Sequence, residues 1–166
     1  MDLGAIYYRD DITPADVGNV RRIVESSGFF SDEEIEIAVE LVQERLAKGI
    51  KSGYYFLFAE EGGNVVGYTC FGPIAGTKSS YDLYWIAVHN DFRGAGIGKE
   101  LLAATEREIA RQGGQRIYIE TSSREKYEPT RAFYRNRGYQ EEALLKDFYS
   151  PGDGKVIYVK EVSPAA

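Results

Sequence analysis

The run Ile86-Ala87-Val88-His89-Asn90-Asp91-Phe92-Arg93-Gly94-Ala95-Gly96-Ile97-Gly98-Lys99-Glu100-Leu101-Leu102 constrains the chain most, because an apolar strand passes through an Arg/Gly-rich turn directly into an amphipathic helix. Gly94, Gly96 and Gly98 lack a Cβ, so the backbone there can adopt unusual φ/ψ values and approach a ligand closely. The turn also opens a helix, whose first N–H groups have no intrahelical acceptor and whose dipole is positive at that end. Arg93 adds a formal charge. A segment of this kind is suited to hold a pyrophosphate.

Two common nucleotide motifs do not fit. The dinucleotide fingerprint needs G-x-G-x-x-G near the start of a βαβ unit, whereas this spacing is G-x-G-x-G in mid-chain. Walker A needs G-x-x-x-x-G-K-[ST], which Gly94 to Glu100 does not supply.

The surrounding pattern predicts a mixed α/β fold. Ala5 to Arg9 reads as a strand. Thr13-Pro14 offers an N-cap and a first helical proline, and Val17, Val20, Ile23 and Val24 continue at helical spacing, giving a helix near 14–27. Ser31 and Glu34 form a capping box for a second helix near 32–48. Strands Tyr54 to Ala59 and Val65 to Phe71 flank the hairpin turn Glu61-Gly62-Gly63-Asn64, and a third strand lies near 81–88. After the glycine-rich turn comes a helix ending at Gly113-Gly114, then a strand from Arg116 to Thr121 and a short helix from Pro129 to Asn136. Glu142 to Tyr149 and Val156 to Val162 pair as a final hairpin. The order β-α-α-β-β-β-α-β-α-β-β implies a mixed central sheet flanked by helices.

With 166 residues and 43% apolar content, a single domain over 1–166 with a substantial core is expected. No apolar run is long enough to span a bilayer, and Met1-Asp2-Leu3-Gly4 lacks the basic and apolar regions of a secretory signal, so a cytoplasmic protein with no membrane partner is expected. Cys70 is the single cysteine, set in an apolar run that predicts a buried packing role, and His89 is the single histidine, which argues against a His-rich metal site. No metal is expected. The net charge of −6 argues against nucleic-acid binding and suits a cationic acceptor.

Arg93-Gly94-Ala95-Gly96-Ile97-Gly98, read as R-x-x-G-x-G after a strand ending in Ala87-Val88, resembles the signature turn of the GNAT superfamily of acetyl-CoA-dependent N-acetyltransferases. A second block, Thr130-Arg131-Ala132-Phe133-Tyr134-Arg135-Asn136-Arg137-Gly138-Tyr139, is similar to the family's helix and turn with a tyrosine four residues before Gly-aromatic. The element order is also the family's. The resemblance implies acetyl-CoA as cosubstrate, with its pyrophosphate on Arg93, Gly94, Ala95, Gly96, Ile97, Gly98 and Lys99. Its pantetheine arm would run along Ile86, Ala87 and Val88, and Thr130 would allow close approach. Tyr127 stands where many relatives carry a CoA-contacting Asn.

Acetyl transfer to an amine needs a proton for the departing thiolate and a base for the amine. The resemblance assigns the first role to Tyr134. For the second it offers Glu120, similar in position to a carboxylate of ribosomal-protein alanine acetyltransferases although about two residues further from the tyrosine. It also offers Asp82, where the histone-acetyltransferase branch places a glutamate. Phe29, Phe30, Tyr84, Phe148 and Tyr149 are candidates to line the acceptor cleft. The expected acceptor is the primary amine of a small metabolite such as an amino acid or polyamine. A protein lysine or N-terminus and a non-catalytic acyl-CoA sensor are the alternatives, and an exposed strand edge could support a homodimer.

Overall fold

The computed structural model describes residues 4–163, so most of the opening Met1-Asp2-Leu3-Gly4 lies outside it. The elements run β1 (Ile6–Arg9), α1 (Asp16–Ser26), α2 (Asp32–Lys48), β2 (Tyr55–Glu61), β3 (Asn64–Pro73), β4 (Ser80–Val88), α3 (Ile97–Arg111), β5 (Arg116–Ser122), α4 (Glu128–Asn136), β6 (Gln140–Ser150) and β7 (Asp153–Glu161). The seven strands form one mixed sheet in the order β1-β2-β3-β4-β5-β7-β6. The expected mixed α/β fold and element order are both observed. Among the described residues no helix is long and apolar enough to cross a membrane.

Two compact units are distinguished: Met1–Gly72 with Trp85–Thr105, and Pro73–Tyr84 with Glu106–Ala166. In the first, β2 and β3 are an antiparallel hairpin whose turn places Gly62 at φ 58° and Gly63 at φ 82°, a pair of positive φ values that glycine adopts without strain. Strand β3 is buried along nearly its whole length. On one face Val20, Ile23, Val24, Ala38 and Val42 of α1 and α2 pack with Phe56, Phe58, Tyr68 and Cys70, so Cys70 has the buried packing role its apolar surroundings predict. On the other, Thr69 and Thr105 of α3 share a buried hydroxyl hydrogen bond of 2.8 Å.

The capping box of α2 forms as read: Ser31 Oγ accepts from Glu34 N–H, and the Glu34 carboxylate accepts from Ser31 N–H. The start of α1 differs. The helix begins at Asp16, and Ala15 in the N-cap position makes no side-chain cap. Asp16 is the reason. Its fully buried carboxylate accepts the Thr13 backbone N–H at 2.9 Å, Asn19 Nδ2 at 3.0 Å and both Arg9 Nη atoms at 2.9 and 2.6 Å. Thr13 is thereby drawn into a turn before the helix instead of capping it.

In the second unit, β5 pairs with β4 in parallel and with β7 in antiparallel register, and β6 pairs with β7 at the sheet edge. The β6–β7 turn is tighter than the sequence suggests, with Ser150 opposite Asp153 across Pro151-Gly152. The C-terminus of α4 is closed by Gly138 at φ 90°, where Arg137 N–H and Tyr139 N–H both donate to Tyr134 O.

Burial would push the Asp16 carboxyl up, but the hydrogen bonds from Arg9, Thr13 and Asn19 outweigh it and hold the group below its usual range. A depressed carboxylate contributes stability above its unfolded value of about 3.9 and loses that contribution as pH falls through the folded value. Asp16→Ala, which leaves Arg9 without its main partner, is expected to cost about 3 kcal/mol at pH 7. It should also flatten the acid arm of stability against pH, as measured by urea denaturation.

Candidate active site

The glycine-rich turn is built from residues of the first unit. Strand β4 ends at Val88, and His89 N–H donates to Val66 O at 2.8 Å, tying that end to β3. A Cβ on Gly67 would lie 3.0 Å from Leu101 Cδ1 and 3.2 Å from Ala87 O. A side chain there would press on Leu101 and the Ala87 carbonyl, so glycine suits the close approach of β3, the end of β4 and the start of α3. After a single helical turn at Asn90–Phe92, Gly94 and Gly96 take φ of 80° and 82°. A Cβ at either would meet nothing within 4 Å, so conformation rather than crowding asks for glycine. Gly98 differs from its neighbours in lying inside the first turn of α3.

The first bond closing α3 is Glu100 N–H to Gly96 O at 3.1 Å. The N–H groups of Ile97, Gly98 and Lys99 are therefore the free donors of the helix start. They follow an exposed turn carrying Arg93, with Lys99 also exposed. The arrangement fits a phosphate group on physical grounds: donors and dipole converge, cationic side chains flank them, and no Cβ obstructs at Gly94 or Gly96.

The candidate carboxylates belong to the second unit. The parallel register of β4 and β5 runs from Ser80↔Arg116 to Asp82↔Tyr118, although β4 continues through Leu83 and Tyr84 and β5 through Ile119 and Glu120. Side chains alternate along a strand, and register partners share a face. Asp82 and Tyr84 therefore lie on the same face as Tyr118 and Glu120. Glu120 is opposite Ile157 of β7, which puts Lys155 on that face too. Lys155 Nζ lies 3.0 Å from Glu120 Oε1.

Burial pushes the Asp82 carboxyl up, the negative charge of Glu120 adds to this, and Lys155 partly offsets both, leaving Asp82 at about 6. Glu120 is exposed and ion-paired. Two carboxylates on one face thus have unlike environments, one half-buried and one exposed and ion-paired.

Tyr134 occupies the opposite face. It is buried, with its ring 5.9 Å from Tyr139 and 6.3 Å from Tyr158, and Tyr158 is the register partner of Ile119 on the buried side of β5. Burial pushes its phenol well above the usual tyrosine value, so it is protonated at any physiological pH. Arg131 anchors the helix that carries it, donating through Nη1 to Ser122 O at 2.6 Å and Arg124 O at 2.9 Å. Thr130, one helical turn before Tyr134, is half-buried in the first turn of α4.

The candidate acceptor aromatics fall into two groups. Phe29 and Phe30 are half-buried in the first unit, and Phe30 meets Trp85 edge-on at 5.0 Å and packs against the core. Tyr84, Phe148 and Tyr149 are exposed in the second, with Phe148 and Tyr149 in edge contact at 5.1 Å. Burial and the charges of Glu120 and Asp153 hold the Tyr149 phenol above its usual value. Sequence reasoning missed Lys155, because only the β5–β7 register brings it to Glu120. Gly67 was missed too, since a glycine in mid-strand gives no sign of which elements approach it. Among the described residues no three His, Cys, Asp or Glu side chains gather as metal ligands.

A family model of the acetyltransferase (GNAT) domain matches residues 52–141, a span drawing on both units. The solved structure of a protein from Desulfovibrio desulfuricans assigned to the GNAT family of acetyltransferases is similar, with a TM-score of 0.94 and 46% identity over 96% of this chain and 100% of that one. An aminoglycoside 6'-N-acetyltransferase complexed with coenzyme A has a TM-score of 0.75 and 19% identity, covering 98% of this chain and 99% of its own. A PaiA N-acetyltransferase from Thermoplasma acidophilum, also in complex with coenzyme A, has a TM-score of 0.72 and 18% identity over 95% and 99%. At these identities the last two speak to the fold, whereas the family model and the 46% identical relative establish kinship: the chain belongs to the GNAT family of N-acetyltransferases.

Proposed function

We propose that this acetyltransferase moves the acetyl group of acetyl-CoA to the primary amine of a small cationic metabolite in the cytoplasm, with Asp82 accepting the amine proton and Tyr134 serving the departing sulfur. The observation that carries the reading is the end of the β4–β5 register at Asp82↔Tyr118, with the carboxylates on one face and Tyr134 on the other. A thioester lying past that point could be approached by an amine from the carboxylate side and release its sulfur toward the phenol.

In this scheme the amine lone pair attacks the thioester carbonyl, a C–N bond forms and the C–S bond breaks. The proton lost from nitrogen passes to Asp82. Tyr134 meets the negative sulfur as a hydrogen-bond donor. A buried phenol is a weaker acid than a thiol, whose reference value is about 8.5, so the contribution of Tyr134 is charge stabilisation as the bond breaks. The Arg93–Lys99 turn would hold the pyrophosphate, and the backbone of Ile86–Val88 would bond the pantetheine arm as a further strand would. Exposed Tyr84, Phe148 and Tyr149 beside two carboxylates suit a cationic acceptor. Strand β6 is the edge to which a second copy could add, but its two register breaks and its acidic start at Glu141-Glu142 work against edge pairing, so the reading is written for one chain.

The test is CoA-thiol release from acetyl-CoA with pooled amino acids, polyamines, aminoglycosides and basic peptides. Release with a small amine supports the reading. Release with peptides alone moves the acceptor to protein, and acetyl-CoA binding with no release to any amine leaves a binding module. Tyr134→Phe should lower kcat about 100-fold with little change in acetyl-CoA affinity. Asp82 must be ionised to accept a proton, so kcat should fall as pH drops below about 6, and Asp82→Asn should abolish that acid limb. Gly96→Val, which forces a β-branched residue to φ 82°, should weaken acetyl-CoA binding about tenfold by calorimetry.

A further inference from the structure

An exposed lysine paired with an exposed carboxylate is usually a loose, solvent-screened contact. Lys155 is different. Its side chain is 15% exposed, against 47% for Glu120, and its ammonium rests 4.3 Å from the centroid of the Phe148 ring while standing 3.0 Å from Glu120 Oε1. A carboxylate and a ring face together fix the position of this charge, and the covered stem restricts it further.

We propose that Lys155 is a positioning residue that divides the labour of the two carboxylates, pairing its ammonium with Glu120 and leaving Asp82, on the same face, as the group that accepts the proton. The inference rests on the acetyl-transfer reading above for its catalytic meaning. Its electrostatic content stands on the cluster alone.

Two neighbouring carboxylates without a cation share one titration, and neither is assigned the proton. A cation bonded to one of them breaks that symmetry. The charge of the bonded partner then disfavours ionisation of the other. Asp82 is also the more desolvated of the pair, so both effects send the proton to the same place. The charged groups that act on Asp82 are Glu120 from β5 and Lys155 from β7. Tyr149 from β6 faces Glu120 and is itself held neutral, while Tyr84 shares the Asp82 face of β4. Phe148 completes the seat. Its ring offers Lys155 a face without adding a titratable group.

The signs of the two flanking charges give a test that general damage to the fold does not imitate. The Asp82 carboxyl is followed by carbon-13 NMR against pH, with its resonance assigned by its loss in Asp82→Asn, and kcat is measured over the same range. Lys155→Met should move the Asp82 midpoint upward by on the order of one pH unit, Glu120→Gln should move it downward, and Lys155→Arg should leave it close to wild type. The acid limb of kcat should move with the midpoint in each variant. An Asp82 midpoint unchanged in Lys155→Met, or displaced as far in Lys155→Arg, would overturn the role of Lys155. If the midpoints move in opposite directions while the kcat limb stays fixed, Asp82 is not the base and the division of labour fails. Absence of amine-dependent release by the wild type would instead remove the acetyl-transfer reading, and the NMR shifts would still decide the electrostatic claim.

Discussion

Strand β5 is the element on which the chemistry of the second unit depends, because it pairs fully with β7 and only briefly with β4. Its register with β7 runs from Arg116↔Glu161 to Ser122↔Lys155, whereas its register with β4 stops at Asp82↔Tyr118. The long pairing sets the alternation that buries Ile117 and Ile119 and turns Glu120 to the open side. It also brings Lys155 to Glu120 and Tyr158 to the side where Tyr134 packs. The short pairing leaves backbone beyond Asp82 and Tyr118 that the other strand does not use. Had β5 paired with β4 along its length, those backbone groups would be consumed in a ladder, and carboxylate and phenol would be separated by closed sheet.

The first unit solves a different problem, which is how to expose polar backbone without instability. Free N–H groups at a helix start are harmless in water and valuable to an anion. What has to be rigid is their surroundings. Val88 and His89 are tied to β3, Gly67 lets Leu101 and Ala87 close on that strand, and Thr105 bonds Thr69 on the same strand further along α3. The turn itself is left exposed. Rigid flanks with an exposed turn are what preorganised anion binding requires, since little ordering remains to be done when the ligand arrives.

The legible parts of this chain are those written in local chemistry. The capping box at Ser31, the paired glycines at 62 and 63, the apolar spacing of α3 and the strand-to-helix turn at Arg93–Gly98 each act over a few residues, so their consequences can be read without knowing the fold. Thr13 shows the limit. It is well suited to cap a helix, yet Asp16, drawn to Arg9, takes the Thr13 N–H and moves the helix start to itself. The competing partner, Arg9 at the end of β1, lies outside the helix pattern from which the cap was read. Lys155 and Gly67 are hidden more deeply, because strand register and the approach of a helix to a strand are properties of residues far apart in sequence. Asp82 and Glu120 were both visible as carboxylates on strands, but their unlike environments follow from the burial of Asp82 and from a lysine on β7 that pairs with Glu120, neither of which a local pattern reveals.

That difference bears on a mismatch in the proposed reaction. An alkylammonium near 10.4 holds its proton far more tightly than a carboxyl at about 6, so Asp82 cannot strip the free substrate to any useful extent at neutral pH. The amine must therefore attack as the small neutral fraction, and the proton that Asp82 would accept is the one lost after nitrogen has bonded to the carbonyl carbon, when the positive charge on nitrogen makes it a much stronger acid. In the proposed reaction Asp82 would suit that later proton loss, since at about 6 it is ionised at pH 7 and still a better base than an ordinary carboxylate. The Glu120 carboxylate, paired with Lys155, would favour a cationic acceptor near the site, so that in this scheme attraction and proton transfer fall to different carboxylates. A single carboxyl would lose its attraction for cations as soon as it accepted the proton, and the second one removes that conflict.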